Sequence, residues 1–422
     1  MKLPSLNPKV VAKKRVIVRV DYNVPLEKTG DRLTVADDRR ILASLDTIRF
    51  LLENQAQVIL ITHLGRPKSD QDKHLSLQPI AECLNNRQKL DCQFLPTLDP
   101  QIVKSTLDRA NYPALFLLEN LRFNPKEKEN DAGFARQLAS LADVYVNEAF
   151  STTHRKHTST YALAKLLPHY AGFGLIKEVE TLGKMLQNPL RPFVCVIGGA
   201  KISDKVEAIT HLAQKADIIL TGGGIANTFL QAEGIEIFRS AAEEKHSLNQ
   251  DVEDPTQFAH ELIKAHQHER MLKDGYIPLP RILYPIDVVG SFSLDEKDPN
   301  KLANFNLSQD MKDQKEREKW LYADIGPKTQ RLYKEIISQA ETVFWNGPMG
   351  VWENPLFAAG THKLALAIAQ ADVTSILGGG DTIGAIDHFG LSDQYSYIST
   401  GGGATLELLS GKLNPGIAVL IN

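Results

Sequence analysis

The sequence predicts an α/β protein built on parallel sheets. Short β-branched runs recur from end to end, each closing in a polar or glycine-rich turn and followed by a helix-like stretch. The runs are nearly continuously apolar, as in sheets covered on both faces. Most of the unusual polar residues fall at the carboxyl ends of the runs, where open α/β sheets bind ligands.

In the first half, Arg15-Val16-Ile17-Val18-Arg19-Val20 ends in Asp21-Tyr22-Asn23, and Val58-Ile59-Leu60-Ile61 ends in Thr62-His63-Leu64-Gly65-Arg66-Pro67. Ala114-Leu115-Phe116-Leu117-Leu118 ends in Glu119-Asn120-Leu121-Arg122-Phe123, and Val144-Tyr145-Val146 leads into a polar segment reaching His157. The second half carries more glycine. Phe193-Val194-Cys195-Val196-Ile197 runs into Gly198-Gly199-Ala200-Lys201, and Ile218-Ile219-Leu220 into Thr221-Gly222-Gly223-Gly224. Thr342-Val343-Phe344-Trp345 meets Asn346-Gly347-Pro348, Ile376-Leu377 meets Gly378-Gly379-Gly380-Asp381-Thr382, and Tyr397-Ile398 meets Ser399-Thr400-Gly401-Gly402-Gly403.

Between the halves, Ile176, Val179, Leu182, Met185 and Leu186 recur at helical spacing. The spacing predicts a connecting helix, with a domain boundary near residue 180. Residues 1–180 form the expected first domain and 181–399 the second. The stretch from about Ser240 to Asp274 reads as solvated helix and loop.

A length of 422 residues suits two or three domains, and 43% hydrophobic with 23% charged residues suits an ordinary globular chain. Forty-eight basic residues against 51 acidic ones give a net charge of −3, which supplies no field for nucleic acid. No apolar run reaches the roughly 20 residues that span a bilayer, and Met1 to Lys9 hold no signal-like apolar stretch. Cys83, Cys92 and Cys195 form no CxxC motif, so a reducing cytoplasm is expected and a disulfide scaffold or zinc site is not.

The candidate sites differ between the halves. Arg40, His63, Arg66, Arg122 and Arg155 lie at or near strand ends or, for Arg40, open a helix. Converging guanidiniums match phosphate and carboxylate oxygens, as for a small substrate with two anionic ends. Asp21 and Asn23, one residue apart, point the same way. Asp21 could accept from a substrate hydroxyl, though both residues also suit a turn. His63 reads equally as a ligand or a core histidine. Glycine loops at 198–199, 222–224 and 378–380 let a backbone approach an anion at a helix start. None matches GxxxxGK[ST] or GxGxxG. Lys201 and Lys205, four apart, would share one helix face and cradle a polyphosphate. Asp381 reads either as a Mg²⁺ ligand or as an N-cap, and Glu353 as a ribose ligand or an exposed glutamate. Cys195, inside an apolar strand, reads as a packed thiol.

On these motifs the chain resembles the phosphoglycerate kinase family, from about Val16 to Ile421. The carrying segments are 19–26, 62–67, 118–123, 198–205, 345–353, 378–382 and 399–404, in the family's order. The resemblance implies two Rossmann-like lobes across a cleft, joined by a helix and hinge near 175–190, with a tail from about residue 400 to 422 returning to the first lobe. It implies reversible, direct in-line phosphoryl transfer with domain closure, between 1,3-bisphosphoglycerate and ADP to give 3-phosphoglycerate and ATP. It places Arg66, Arg122 and Arg155 on the 3-phosphate, with Tyr22, Asn23, His63, Leu64 and Gly65 around the substrate. Asp21 would take the 2-hydroxyl, and Arg40 would face the substrate carboxyl group and the phosphoryl in flight, acting with Lys201 as a catalytic pair. Gly199, Ala200, Lys201, Lys205, Gly223, Gly224, Asn346, Pro348, Val351, Glu353, Gly379, Gly380, Asp381 and Thr382 would bind ATP or ADP, with Asp381 meeting Mg²⁺. A cytoplasmic monomer without nucleic-acid or membrane partners is expected. Glu148, Ser151 and Thr153 stand where the family usually has aspartate, glycine and alanine, and Tyr322 where many members have glycine. The segment 240–280 looks longer than usual. The alternatives are a non-catalytic nucleotide-binding protein of the same fold, or a kinase for another small acid.

Overall fold

In the computed structural model the described residues are 2–30, 32–69, 72–243, 254–266, 270–272, 275–277, 279–307 and 317–421. The chain divides into two units, Met1–Gly183 with Leu413–Asn422, and Lys184–Lys412.

The first unit is organised by a six-stranded sheet. In chain order its strands, with a hairpin between the first and second of them, are β1 (Arg15–Arg19), the hairpin strands β2 (Leu26–Thr29) and β3 (Arg32–Val35), β4 (Gln57–Ile61), β5 (Cys92–Leu95), β6 (Ala114–Leu118), β7 (Val144–Asn147) and β8 (His169–Ala171). The sheet runs β5-β6-β4-β1-β7-β8, and every pairing in it is parallel. The chain leaves β1 toward β4 and leaves β7 toward β8, so the order reverses between β1 and β7. The loops after those two strands therefore diverge and leave a crevice at their carboxyl ends, the usual place for a ligand. Val16, Val18, Val58, Leu60, Leu115, Leu117, Val144 and Val146 form one face of the core together with helix residues such as Ile48, Leu51 and Ile80. These runs are buried from end to end, as strands covered on both sides must be.

The second unit repeats the plan. Its strands are β9 (Phe193–Ile197), β10 (Ile218–Thr221), β11 (Arg270–Leu272), β12 (Gly275–Ile277), β13 (Ile282–Leu283), β14 (Asp287–Ser291), β15 (Ala303–Asn306), β16 (Leu321–Ile325), β17 (Thr342–Asn346), β18 (Thr374–Gly378) and β19 (Tyr397–Ile398). The parallel sheet runs β13-β10-β9-β17-β18-β19, reversing between β9 and β17. The glycine loops that follow β9 and β17 consequently meet. An antiparallel sheet, β15-β14-β16, adds a smaller core around Phe305 and Tyr322.

The predicted connecting helix is Phe173–Gln187, with Val179, Leu182 and Met185 buried. Its N-terminus is held by Glu148, whose Oε1 accepts from the Gly174 amide at 2.8 Å and the Thr47 hydroxyl at 3.1 Å. The returning segment starts at Leu413 rather than near residue 400. The helix Gly403–Leu409 stays with the second unit, packed on the helix Val206–Lys215. The return is pinned by Thr153, whose hydroxyl accepts from Asn414 Nδ2 at 2.8 Å and whose carbonyl accepts from the Gly416 amide at 2.8 Å. Of the segment 240–280, the structure describes a helix at Pro255–Ala265 and the β11-β12 hairpin; positions 244–253, 267–269, 273–274 and 278 lie outside the described residues.

Candidate functional site

The first candidate site lies at the β1/β7 reversal. Arg19, the last residue of β1, is fully buried. Its Nε donates to Ser159 Oγ at 2.8 Å, and its Nη2 lies 2.9 Å from His63 Nδ1. Ser159 in turn donates to the buried carboxylate of Glu127 at 2.6 Å. Arg122 follows β6 on a short turn capped by Asn120, and its Nη1 donates to the Gly65 carbonyl at 2.6 Å. Arg122 Nε is buried without a hydrogen-bond partner among the described residues. Arg66 and Arg155 are exposed, and Arg155 Nε donates to His154 Nε2 at 2.9 Å.

Burial and neighbouring charge shift the ionisation of these groups. Burial pushes Arg122 down to about 10, and the charges of Arg19, Arg155 and Arg66 push the same way against Glu127. His157 falls to about 4 through burial and then Arg122, Arg19 and Arg155. His63 lies well below its ordinary value, through burial first and then Arg19, Arg122, His157 and Arg40. Cations held this close repel one another, and an anion among them relieves the repulsion.

Beside them, Asp21 accepts from Arg40 Nη1 at 2.7 Å and from the Ser151 hydroxyl at 2.5 Å, both on Oδ2. Asn23 Oδ1 accepts from the Gly65 amide at 2.8 Å and so holds the 62–67 loop. Leu64 is tied through its own amide and carbonyl to Asn120. Tyr22 differs from expectation. Its ring is fully buried in the core and its hydroxyl bonds Ser44 Oγ at 2.8 Å, so its side chain is turned away from this site. The alternation that aims Asp21 and Asn23 together sends Tyr22 the other way. Arg19, absent from the sequence-derived set, is the organiser that reasoning missed; an arginine closing an otherwise apolar strand was the available signal.

The second candidate site lies at the β9/β17 reversal. A cavity of about 340 Å³ is lined there by Gly199, Ala200, Gly223, Gly224, Pro348, Val351, Glu353 and Asp381, with Tyr322 and Asn227 among its further walls. The Gly199 amide donates to the Pro348 carbonyl at 3.0 Å, which joins the two loops. The backbone crossing leaves no room for side chains: a Cβ on Gly224 would lie 2.2 Å from the Ala200 carbonyl oxygen. Gly379, at φ +91°, brings its turn against Asn346, whose Nδ2 is buried without a partner among the described residues. Gly380 and Asp381 open the helix Gly380–His388, whose N-cap is Gly379 rather than Asp381.

The lysines do not share a helix face. Helix Val206–Lys215 starts after Lys205, so Lys201 lies in the loop, exposed, while Lys205 folds inward. Lys205 Nζ donates to the carbonyls of Gly198 at 2.6 Å and Asn346 at 3.2 Å. Burial lowers it to about 8, against the attraction of Asp381 and Asp204. Thr382 is fully buried and accepts from the Gly347 amide at 2.6 Å, which fixes the β17 loop. Tyr322 keeps its hydroxyl on the Glu236 carbonyl at 2.8 Å. Cys195 is a buried free thiol pushed well above its usual range by burial. No described helix is long and apolar enough to cross a membrane.

The comparisons with known proteins converge. The family model for phosphoglycerate kinase matches residues 6–412. A phosphoglycerate kinase of Moorella thermoacetica is 45% identical over 413 residues, 96% of each chain. One of Herpetosiphon aurantiacus is 42% identical over 407 residues, again 96% of each. Among solved structures, phosphoglycerate kinase from Coxiella burnetii superposes with a TM-score of 0.79 at 36% identity, covering 100% of this chain and 98% of the other. That from Pyrococcus horikoshii gives 0.79 at 29% identity, covering 99% and 98%. The chain belongs to the phosphoglycerate kinase family.

Proposed function

We propose that the first unit holds 3-phosphoglycerate and the second holds the Mg-nucleotide, and that each bound group is presented for transfer by the residues named above. The family carries the activity itself: a glycolytic phosphotransferase acting reversibly between 1,3-bisphosphoglycerate with ADP and 3-phosphoglycerate with ATP. The non-catalytic alternative is not favoured, since every charged group the chemistry needs is present.

In this reading Arg66, Arg122 and Arg155 grip the 3-phosphate. His63 and Asn23 complete that end, and Asp21 takes the 2-hydroxyl. The observation that carries the assignment is Arg122, whose Nη1 donates to the Gly65 carbonyl at 2.6 Å while its buried Nε has no partner among the described residues, with the charges of Arg19, Arg155 and Arg66 acting on it against Glu127. Arg40 meets the carboxylate that attacks or leaves, and Lys201, exposed on the glycine loop, steadies the phosphoryl in flight. Such charge stabilisation needs no covalent intermediate. In the second unit, Lys205 stiffens the loop from beneath and adds positive charge. The amides that open the helix Gly380–His388 and Asn346 Nδ2, buried without a partner among the described residues, face the phosphates. The 198–200 loop approaches them with its backbone, Pro348 and Val351 line the nucleotide pocket, and Glu353 the ribose.

Asp381 suits a magnesium ion that arrives with phosphate. No group of three or more His, Cys, Asp or Glu that could hold a metal gathers among the described residues, so a hard cation at Asp381 takes its remaining oxygens from phosphate and water. When bound, the ion neutralises phosphate charge. A division into domains near residue 180, with the tail from Leu413 belonging to the first, a hinge near 175–190, a monomeric state and a cytoplasmic location complete the proposal. It is tested by a coupled assay that consumes 3-phosphoglycerate and ATP with magnesium present. Steady turnover supports the reading, and absence of turnover with both substrates saturating contradicts it.

A further inference from the structure

The hydroxyl of Ser151 occupies a place that the site described so far leaves without a role. Asp21 is nearly buried, and its carboxylate must find donors. Its Oδ2 takes two, Arg40 Nη1 at 2.7 Å and Ser151 Oγ at 2.5 Å. Among the described residues its Oδ1 takes only the Asn23 amide, at 3.3 Å. A carboxylate has about four acceptor positions, so the one left open for an incoming hydroxyl is on Oδ1.

Ser151 is itself firmly placed. It lies in the turn Phe150–Thr152 directly after β7. The Ala149 amide bonds Asn147 Oδ1 at 3.0 Å, Thr152 Oγ1 donates back to the Ala149 carbonyl at 3.0 Å, and the Thr153 amide donates to the Phe150 carbonyl at 3.0 Å. The hydroxyl is thus delivered by rigid backbone, while Arg40 reaches Asp21 on a long and partly exposed side chain.

The two donors therefore differ in what they can do when substrate enters. In the assignment above Arg40 meets the substrate carboxyl group, and a turn of its guanidinium toward that group would loosen its hold on Asp21. A buried carboxylate that loses its cation with nothing in exchange is strongly unfavourable. The Ser151 hydroxyl stays and keeps Oδ2 satisfied.

We propose that Ser151 is a positioning residue that fixes Asp21 for the substrate hydroxyl and frees Arg40 to leave it. This rests on the assignment of Asp21 and Arg40 to the acid substrate given above. The test is steady-state kinetics with 3-phosphoglycerate and Mg-ATP on wild type, Ser151→Ala, Ser151→Gly, Ser151→Thr, Asp21→Asn and the Ser151→Ala/Asp21→Asn pair. Loss of a hydrogen bond to a charged group is expected to lower kcat/KM for 3-phosphoglycerate about tenfold in both Ala and Gly variants, with KM for the nucleotide unchanged. Thr should restore most of it. In the Asp21→Asn background the Ala change should cost little more, since the contact is already altered. Unchanged kcat/KM in the Ala and Gly variants, failure of Thr to rescue, or the full loss repeated in the Asp21→Asn background overturns the proposal. If wild type turns over 3-phosphoglycerate and Asp21→Asn is impaired while Ser151→Ala is silent, only the role of Ser151 falls. If Asp21→Asn is also silent, the substrate assignment falls with it.

Discussion

Arg19 Nη2 stands 2.9 Å from His63 Nδ1, with both side chains buried. A guanidinium has only donors, so Nδ1 must accept, and the ring proton resides on Nε2. His63 is held well below its usual pKa by burial and by the charges of Arg19 and Arg122. The ring is therefore a neutral donor of one N–H. Nitrogen NMR of the imidazole should report the Nε2–H tautomer, with any titration well below the ordinary histidine midpoint near 6.5. A midpoint at or above that ordinary value would show that Arg19 does not set the ring's state.

Arg19 also partners a buried acid through Ser159. Burial raises the pKa of Glu127, and Arg19 is the largest influence lowering it again. Removing the guanidinium strands the acid and the ring together. Arg19→Met should cost about 3–5 kcal/mol in denaturant unfolding. Adding Glu127→Gln should recover part of that, whereas full additivity of the two changes would mean that the groups are not coupled.

Glu148 supplies a pH signature. Burial raises its carboxyl to about 8, opposed by hydrogen bonds from the Gly174 and Leu175 amides and Thr47. An acid whose folded pKa is raised contributes its full stability below the ordinary value, near 4.5, and loses it as pH climbs through about 8. Wild type should therefore lose stability relative to Glu148→Gln as pH rises from about 5 to 9, read as the difference in denaturant midpoints. A pH-independent difference would place the ionised form in the fold.

The glycine crossing of the second unit is tested at Gly224. A methyl there would lie 2.2 Å from the Ala200 carbonyl oxygen, so backbone must move. Gly224→Ala should weaken ATP and ADP binding about tenfold or more, with 3-phosphoglycerate affinity unchanged, as read by calorimetry. Unaltered nucleotide affinity would remove the 223–224 turn from the nucleotide site.

Much of this was legible because strand ends and ligand positions coincide in parallel α/β sheets. The runs at 15–19, 57–61, 114–118 and 144–147 all entered one sheet, and those at 193–197, 218–221, 342–346, 374–378 and 397–398 the other. Short edge strands such as His169–Ala171 and Ile282–Leu283 escaped notice because two or three residues carry no periodicity. The antiparallel sheet around Phe305 escaped because its strands pair antiparallel, outside the parallel plan that the apolar runs announce. Lys205 was misplaced for a local reason. Spacing of four implies a shared face only inside a helix, and the turn Ser203–Lys205 delays the helix until Val206. The inward face of Tyr22 was implied by the same alternation that paired Asp21 with Asn23, whereas the burial of Arg19 depends on Ser159 and His63, remote in sequence.

The central claim is that Arg40, beside Asp21 in the first candidate site, supplies the guanidinium that the phosphoryl-transfer step requires. Arg40→Ala in the coupled assay with 3-phosphoglycerate and Mg-ATP tests it most directly. The expected result is a fall in kcat of at least about 100-fold with nucleotide dissociation constants near wild type. Turnover equal to wild type in that variant would contradict it.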